Sequence, residues 1–571
     1  MRNSIGKAWL AAMALCMSAA PAVAAREFTP QAGLWMIPSE NNGQPGRGFS
    51  LDVQGNTAFL QVFNYEKSGA ATFHTAVGQL DDAATMTVPL LRFKGGRSFG
   101  GPMQDAVADG TAGDVTVKFA DGLNGTVQFP GEGEQPISRF LINQKLPFWW
   151  TQASDAPPTG DRGGMVFHWS ANGADGSRKT WTAYLERDAS GALSLDVRPE
   201  IRSETHYNFN SSHEWKCALE SSAQIIDCST SSPSDAESKG IARVRFRVLG
   251  RDVVGVIQPS LNSAQRISFN GWTKGSYSCK EQCHREQFRT ARTYTTSEYE
   301  SEAYCVLSWC TGYGYVMMQP TSGAWVIEDE NTGRPGRGVF LDVQDDTVVM
   351  QTSDYLANGE PTFHMGSGTL KTSTTLYGDT TLSMPLVRYA GGRYFGGPEQ
   401  SGHEAATAGM ASLSFSLRTG GVPNDMATGR ITLPGEGAKT IRRLAFHAPG
   451  DGIENMLGEY FIRWNSAQPS NQGWVQLTRV EGRVAMNADG SVQCSQDSPR
   501  LKPYSMRCTL LDTANPGQSA KGTIHISANP FHRDVAFDFN TSYLRTRDQF
   551  GHWLGLGDVN LPGLAIPQNS Q

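Results

Sequence analysis

The sequence contains a long internal duplication. Residues 31–80 align with residues 321–370 at a constant offset of 290 without a gap, and 23 of the 50 positions are identical. The motifs G-x-W, P-G-R-G and L-D-V-Q occur at corresponding places in both copies. A repeat of this length predicts one structural module that the chain builds twice.

The repeat continues after small insertions. The motif G-G-R-x-F-G-G-P at 95–102 returns at 391–398 with a different residue at x, and P-G-E-G at 130–133 returns at 434–437. A fainter repeat of tryptophans, a cysteine pair and the motifs K-G and R-D-V follows each copy. We therefore divide the chain into a signal segment (1–25), module A1 (28–143), module B1 (144–275), a cysteine-rich connector (276–319), module A2 (320–446) and module B2 (447–571).

The modules have the pattern of short strands. Apolar and polar residues alternate in 49–54, the period of a half-buried strand. About eight such segments per A module, separated by Gly, Pro, Asn and Asp, predict an all-β fold with an up-and-down barrel-like A module. The B module is predicted to be β-sandwich-like. The connector has no Pro or Gly from 280 to 306, which predicts a small helical hairpin.

The first 25 residues resemble a secretory signal. Arg2 and Lys7 precede an apolar stretch that is too short to span a bilayer, and Ala22-Val23-Ala24 offers a cleavage site. We therefore expect a periplasmic or secreted protein without a transmembrane segment.

Eight cysteines remain after the signal segment, an even number that predicts disulfides in an oxidising compartment. A four-cysteine zinc site is the alternative for the middle four, but their C-x3-C and C-x4-C spacings are not those of most zinc sites. A helical hairpin brings its two outer cysteines close to each other and its two inner cysteines close to each other. The predicted bridges are Cys217–Cys228, Cys494–Cys508, Cys279–Cys310 and Cys283–Cys305.

Charge and motifs argue against several function classes. The chain has 49 Lys and Arg against 55 Asp and Glu, a net charge of −6, which is not the basic footprint of a nucleic-acid binder. Neither an H-E-x-x-H motif nor a P-loop occurs. We therefore expect no catalytic residues, no cofactor and no metal.

Six polar residues recur in both A modules. They are Arg47, Asp52, Gln54, Gln61, Tyr65 and His74 in A1, and Arg337, Asp342, Gln344, Gln351, Tyr355 and His364 in A2. If the polar strand faces point into a barrel, these side chains would line a small ligand-binding pocket. They could instead point outward or satisfy each other, with Arg47 paired to Asp52 and Tyr65 anchoring a strand end. His74 and Asp52 could also form an acid–base pair.

Other features have structural interpretations. Glu132 and Glu436 lie in P-G-E-G turns, which need no role beyond turn geometry. Arginines alternate with apolar residues in 243–248, which predicts a solvated face. A sugar-binding aromatic platform is one use for Trp149, Trp150 and Trp309, and core packing is the more frequent one.

The succession G-x-W, P-G-R-G, L-D-V-Q, G-G, P-G-x-G and I-x-R resembles a module found in exported proteins of Gram-negative bacteria. The resemblance covers the two A modules, under half of the chain, and implies export without implying a particular activity. That family often carries Trp-Tyr where this chain has Phe73-His74 and Phe363-His364. The opening G-x-W and the predicted meander are also similar to lipocalin-like and avidin-like barrels, which implies a fold and no function.

Three function hypotheses follow. The first is an exported, non-catalytic binding protein whose partner is a small polar ligand, a cell-envelope glycan or peptide polymer, or a protein. The second is a proteinaceous inhibitor of a secreted hydrolase. The third is an envelope-directed hydrolase. An inhibitor binds one enzyme without turnover, whereas a hydrolase turns over substrate and loses that activity when one acid is mutated.

Overall fold

The computed structural model describes residues 28–142, 162–279, 320–444 and 446 with short internal gaps, together with separate strands between 458 and 555. The predicted all-β class is confirmed, because the described residues are mostly strands. Their one α-helix is Pro233–Lys239 (α1), and 3-10 turns lie at Pro38–Glu40 and Glu328–Glu330. In these described parts, no helix has the length and apolar character needed to cross a membrane.

Module A1 is a closed barrel of eight antiparallel strands in sequence order. The strands are β1 (Gly33–Met36), β2 (Gly48–Gln54), β3 (Thr57–Tyr65), β4 (Ala71–Gln79), β5 (Thr85–Lys94), β6 (Val107–Phe119), β7 (Asn124–Gln128) and β8 (Gln135–Arg139). The barrel closes where Trp35 of β1 pairs with Arg139 of β8.

Apolar side chains fill the A1 barrel. Leu51 pairs with Leu60, Leu60 pairs with Ala76, and all three belong to one buried cluster. Trp35 lies edge-on to Phe119 in the same cluster, with ring centroids 5.1 Å apart. An eight-stranded barrel is just wide enough for side chains to fill it, so the interior of A1 is its hydrophobic core.

Module B1 is a second closed barrel, not the sandwich-like unit that the sequence predicts. Its strands are β9 (Arg162–Asn172), β10 (Arg178–Arg187), β11 (Leu193–Pro199), β12 (Trp215–Glu220), β13 (Ile225–Ser229), β14 (Arg243–Leu249), β15 (Asp252–Gln258) and β16 (Ile267–Cys279). A β-sandwich and a β-barrel share the same alternating strand pattern. They differ in the pairing of the first and last strands, here β9 with β16, which local periodicity does not encode.

Helix α1 is attached to the B1 barrel by two tryptophans. The indole Nε1 of Trp215 donates to Asp235 Oδ2 at 2.6 Å, and that of Trp181 donates to Lys239 O at 3.0 Å. Ser232 caps the helix start, and Gly240 ends it with φ 69. The prediction of a solvated arginine face is wrong at Arg247, which is buried. Burial, together with the charge of Arg139 in A1, lowers the pKa of Arg247 to about 10.

Module A2 repeats the strand order of A1. Its strands are β17 (Gly323–Ile327), β18 (Gly338–Gln344), β19 (Thr347–Tyr355), β20 (Pro361–Thr369), β21 (Lys371–Thr372), β22 (Thr380–Ala390), β23 (His403–Phe415), β24 (Arg418–Thr419), β25 (Val422–Pro423), β26 (Thr428–Thr432) and β27 (Lys439–Arg443). These form a nine-stranded sheet plus the small β24–β25 hairpin. The additional pairing of His364 in β20 with Arg388 in β22 joins the eight strands equivalent to those of A1 in the same cyclic order.

The described part of module B2 contains a six-stranded sheet and two hairpins. The hairpins are β28 (Gly458–Arg463) with β29 (Gln472–Leu477), and β36 (Arg545–Arg547) with β37 (Trp553–Gly555). The sheet consists of β30 (Arg479–Glu481), β31 (Val484–Met486), β32 (Val492–Gln496), β33 (Ser505–Leu510), β34 (Gly522–Ala528) and β35 (Val535–Phe539).

Two predicted disulfides are confirmed. Cys217 and Cys228 occupy paired positions of β12 and β13, and their Cα atoms are 4.1 Å apart. Cys494 and Cys508 occupy paired positions of β32 and β33, with Cα atoms 3.8 Å apart. The predicted start of the connector at residue 276 is wrong, because strand β16 continues to Cys279. The side chains of the other four cysteines, residues 280–319 of the predicted helical connector and the signal segment lie outside the described residues.

Candidate functional site: the joint between modules A1 and A2

Modules A1 and A2 pack against each other around an approximate two-fold axis. Strand β4 lies against β20, β1 against β18, and β2 against β17. Nearly every polar contact has a counterpart in which the two modules exchange roles. We call this set of contacts the A1–A2 joint.

Two buried ion pairs form the centre of the joint. Arg443 Nη1 of A2 donates to Asp52 Oδ2 of A1 at 2.7 Å, and Arg139 Nη2 of A1 donates to Asp342 Oδ1 of A2 at 2.5 Å. Both carboxylates are at most 1 % exposed. Taking such charges out of water is costly, so each needs its partner and further hydrogen bonds.

Backbone amides of the opposite module supply those further bonds. The amide of Ala324 donates to Asp52 Oδ2 at 3.0 Å, and the amide of Leu34 donates to Asp342 Oδ2 at 2.8 Å. These amides begin the first strand of each barrel, so each aspartate fixes both the last and the first strand of its neighbour. A carboxylate held in this way has a structural role in the joint.

Gln54 and Gln344 extend the joint along the chain that follows each barrel. Gln54 Nε2 donates to Leu444 O at 2.7 Å, and Gln54 Oε1 accepts from the amide of Phe446 at 3.1 Å. Gln344 makes the equivalent bonds to Phe140 O at 2.8 Å and to the amide of Ile142 at 3.0 Å. Each glutamine side chain therefore donates and accepts the two hydrogen bonds that the backbone of one residue in a neighbouring strand would make.

A charged network lies at the mouth of barrel A1. Arg47 binds both Glu40 and Glu132. Arg393 of A2 reaches the same Glu40 at 2.8 Å, and the amide of Gly396 donates to Glu132 Oε1 at 2.8 Å. Burial raises the pKa of Glu132, but hydrogen bonds from Arg47 and Gly396 lower it more, and the net pKa lies below the usual value.

The mouth of A2 carries the equivalent network. Arg337 binds Glu330 and Glu436, and Arg97 of A1 reaches Glu330 at 2.7 Å. Burial opposes ionisation of Glu436, while hydrogen bonds chiefly from Arg337, with Lys439, lower the pKa of Glu436 to about 2. The interpretation of Glu132 and Glu436 as turn residues without a further role is therefore wrong.

Each module closes the barrel mouth of the other with a phenylalanine. Phe395 of A2 lies 5.1 Å from Phe129 and 5.2 Å from His74 between ring centroids, and packs against the A1 core. Phe99 of A1 lies 4.8 Å from His364 and packs against the A2 core. We call residues 95–102 and 391–398, which carry these rings, the plug loops.

Glycines in the plug loops admit the tyrosines of the opposite module. A Cβ atom placed on Gly392 would lie 2.1 Å from Tyr65 Cε2, and one on Gly96 would lie 2.2 Å from Tyr355 Cε2. Burial raises the pKa of both tyrosine hydroxyls above the ordinary range. The paired glycines of the G-G motif are thus explained by close approach between modules.

The predicted pocket inside a single barrel is wrong. Leu51 belongs to the A1 core and Val53 packs against it, so the alternate residues Asp52 and Gln54 point to the outside of the barrel, towards A2. Gln61 likewise lies between the core residues Leu60 and Val62 and points outward. The corresponding residues of A2, Asp342, Gln344 and Gln351, lie on its outer face.

His74 lies on the inner side instead, because it pairs with the core residue Val62. His74 and Asp52 therefore lie on opposite sides of the barrel wall, which rules out the predicted acid–base pair. The predicted Arg47–Asp52 pair is also wrong, since Arg47 binds Glu40 and Glu132. Tyr65 ends its strand as expected, but its ring packs against A2.

The two copies differ beneath the plugs. In A2, His364 Nδ1 lies 2.9 Å from Asp354 Oδ1, and burial raises the pKa of Asp354. In A1 the equivalent of Asp354 is Asn64, and burial, with a smaller effect of Arg92, lowers the pKa of His74 to about 4. The retained histidine is therefore neutral near pH 7 in A1 and bound to a carboxylate in A2.

Residues 96–100 also match the G-x-S-x-G pattern of a nucleophile elbow. A nucleophile elbow needs a turn from a strand to a helix, whereas this segment joins two antiparallel strands and carries the plug residue Phe99. Module A2 has Tyr394 in place of Ser98. The G-x-S-x-G match is therefore part of the plug loop and does not indicate a nucleophile.

Sequence reasoning missed the partners of the retained residues: Arg97, Phe99, Arg139 and Glu40 in A1, with Arg393, Phe395, Arg443 and Glu330 in A2. All eight recur between the copies, and this recurrence is the sequence feature by which they could have been identified. Among the described residues, no group of three or more His, Cys, Asp and Glu side chains could hold a metal ion. No protein-family model matches the chain, and no curated protein matches it.

Proposed function

We propose that the protein is an exported, non-catalytic binding protein of the bacterial cell envelope, with the paired A modules as its rigid scaffold. Export is supported by the signal-like residues 1–25 and by the disulfides Cys217–Cys228 and Cys494–Cys508, which persist in oxidising compartments.

The observation that carries the proposal is the reciprocal ion pairing in the joint. A general acid or base must reach a substrate proton within hydrogen-bond distance. Asp52 and Asp342 instead accept hydrogen bonds from arginine and from backbone amides, and both are buried. This use of the retained carboxylates favours a scaffold over a hydrolase.

The partner in this proposal is a repetitive glycan–peptide polymer of the envelope. Apolar side chains fill the A1 barrel and pack the core of A2, so binding falls on the outer surfaces of the module pairs. The approximate two-fold axis presents two similar surfaces. A repetitive polymer can engage both, and such avidity exceeds single-site affinity by about 10²–10⁴.

Co-sedimentation with purified peptidoglycan sacculi tests the proposal. We expect saturable binding of the mature protein, binding to soluble monomeric fragments that is about 100-fold weaker, and no release of soluble sugar or peptide. Release of fragments would instead identify a hydrolase. A protein that stays in the supernatant, or that inhibits one secreted hydrolase stoichiometrically, would contradict polymer binding.

A further inference from the structure

The contacts of the A1–A2 joint do not depend on the chain that connects the two modules. Asp52 and Arg443 are 391 positions apart, and Leu34 and Asp342 are 308 apart. Residues 140–322 lie between the two barrels. The covalent connection brings the modules near each other, and the same contacts would form between modules of two different chains.

Each A module also has its own hydrophobic core. The A1 cluster is built from A1 residues, with Phe395 as its one contribution from A2, and the A2 cluster receives Phe99 from A1. The remaining contacts of the joint are charged and polar groups, which water can solvate, and two small apolar clusters that both modules share, which include Tyr65 with Phe363 and Phe73 with Tyr355. Separation exposes these aromatic rings, which favours pairing again with a matching module. The joint can therefore open while both barrels keep their cores.

The joint also distinguishes the two modules. Ser50 Oγ of A1 donates to Gln351 Oε1 of A2 at 2.8 Å, and the equivalent of Ser50 in A2 is Phe340, which has no hydroxyl to donate. Phe63 of A1 packs against Phe363 with ring centroids 5.5 Å apart, whereas its A2 equivalent is Ser353. A pair of two A2 modules would lose both contacts, so each A2 favours an A1.

From these observations we infer that a second copy of this chain is a partner for the joint. Module A1 of one chain pairs with A2 of the other, and the remaining A1 and A2 pair in the same way. The product is a closed two-fold dimer that keeps every contact of the joint twice. The balance between monomer and dimer then depends on protein concentration relative to the effective concentration set by the connection between the modules.

A steric exchange at Tyr65 and Gly392 tests this inference. In the G392A chain, the new methyl group collides with Tyr65 of the same chain, because a Cβ there lies 2.1 Å from the ring. The Y65A chain leaves space at the same place. In a mixed dimer, the two introduced alanines face each other in one joint. The original Tyr65 and Gly392 face each other in the second joint, so both joints fit.

Native mass spectrometry of the two full-length variants, with one isotopically labelled, gives the readout. We expect the mixture to contain a one-to-one dimer, with a dimer fraction about tenfold or more above that of wild type at equal concentration, the ratio that about 1.4 kcal/mol of relieved strain gives. The Y65A/G392A double variant is the matched control and stays monomeric, because its own modules fit again.

A mixture with no more dimer than wild type overturns the inference. If G392A alone is insoluble, it is refolded together with Y65A: recovery of a soluble mixed dimer supports exchange, and recovery of Y65A monomer alone overturns it. The pair G96A and Y355A repeats the test at the second joint position, where the Cβ distance is 2.2 Å.

Discussion

Asp52 illustrates how the role of a residue depends on what lies opposite its strand face. The alternation in β2 correctly separates Asp52 and Gln54 from the apolar side of the strand. It does not reveal that the polar side is also buried, because the covering residue, Arg443, lies 391 positions away. A single buried charge is therefore stable only through a partner that the local sequence does not show.

We expect Asp52→Ala to destabilise the protein by about 3–5 kcal/mol, because Arg443 would remain buried without its counter-charge. Chemical denaturation measures the change. Asp109→Ala is the control, since Asp109 forms an exposed pair with Lys94 and its loss should have little effect. Replacing both partners, as Asp52→Leu with Arg443→Met, should cost less than Asp52→Ala alone. An Asp52→Ala variant as stable as wild type would contradict the structural role.

His74 predicts a dependence of stability on pH. Burial lowers its pKa to about 4 in the folded protein, below the usual 6.5, so the folded state binds the proton less well than the unfolded state. This stabilising contribution is complete above pH 6.5 and is lost as pH falls towards 4, by about 1–2 kcal/mol at pH 5. His74→Gln should make the loss between pH 7 and 5 smaller, whereas His403→Gln, at an exposed site, should not.

At the scale of elements, the sequence predicts strands and repeats but does not predict which elements meet. Alternation identifies β2, and the paired cysteines identify β12 with β13 and β32 with β33. The plug loops are recognisable in the sequence only as a repeated glycine-rich motif, because glycine indicates a turn or a close approach without showing which residue approaches. The barrel closure of B1 was missed for a related reason, since pairing of the first and last strands is a long-range contact.

Because a plug loop of A2 closes the barrel of A1, a substitution in A2 should lower the local stability of A1. Phe395→Ala removes the ring that packs on Phe129 and His74, and we expect faster amide hydrogen exchange in β4 and β7 of A1. Tyr394→Ala is the control, because the neighbouring Tyr394 contacts Lys67 instead. Exchange that increases only within A2 would show that Phe395 does not close the A1 barrel.

At the scale of the whole molecule, duplication explains why the same residues recur in both A modules. A two-fold interface uses the same patch on both partners, so the residues that form it must be present in each copy. Retention between the copies therefore reflects pairing of the modules and does not require two ligand sites. Ser50 and Phe340, or Asn64 and Asp354, then record where the two halves have become different.

The joint should hold the two halves of the chain together after the connection between them is cut. Inserting a protease site after residue 314 and cleaving the purified protein cuts the chain outside both predicted connector bridges, Cys279–Cys310 and Cys283–Cys305, so that no predicted disulfide joins the two halves. The halves should co-elute at micromolar concentration by size-exclusion chromatography with light scattering, which requires a binding free energy of at least about 8 kcal/mol. The contacts around Asp52 and Asp342 are central to that energy, so the Asp52→Ala/Asp342→Ala protein should separate into halves after cleavage. Lys118→Ala, which removes an exposed charge on a strand that pairs within A1, should leave the halves associated. Separation of the unsubstituted halves would show that the connector, and not the joint, keeps the modules paired.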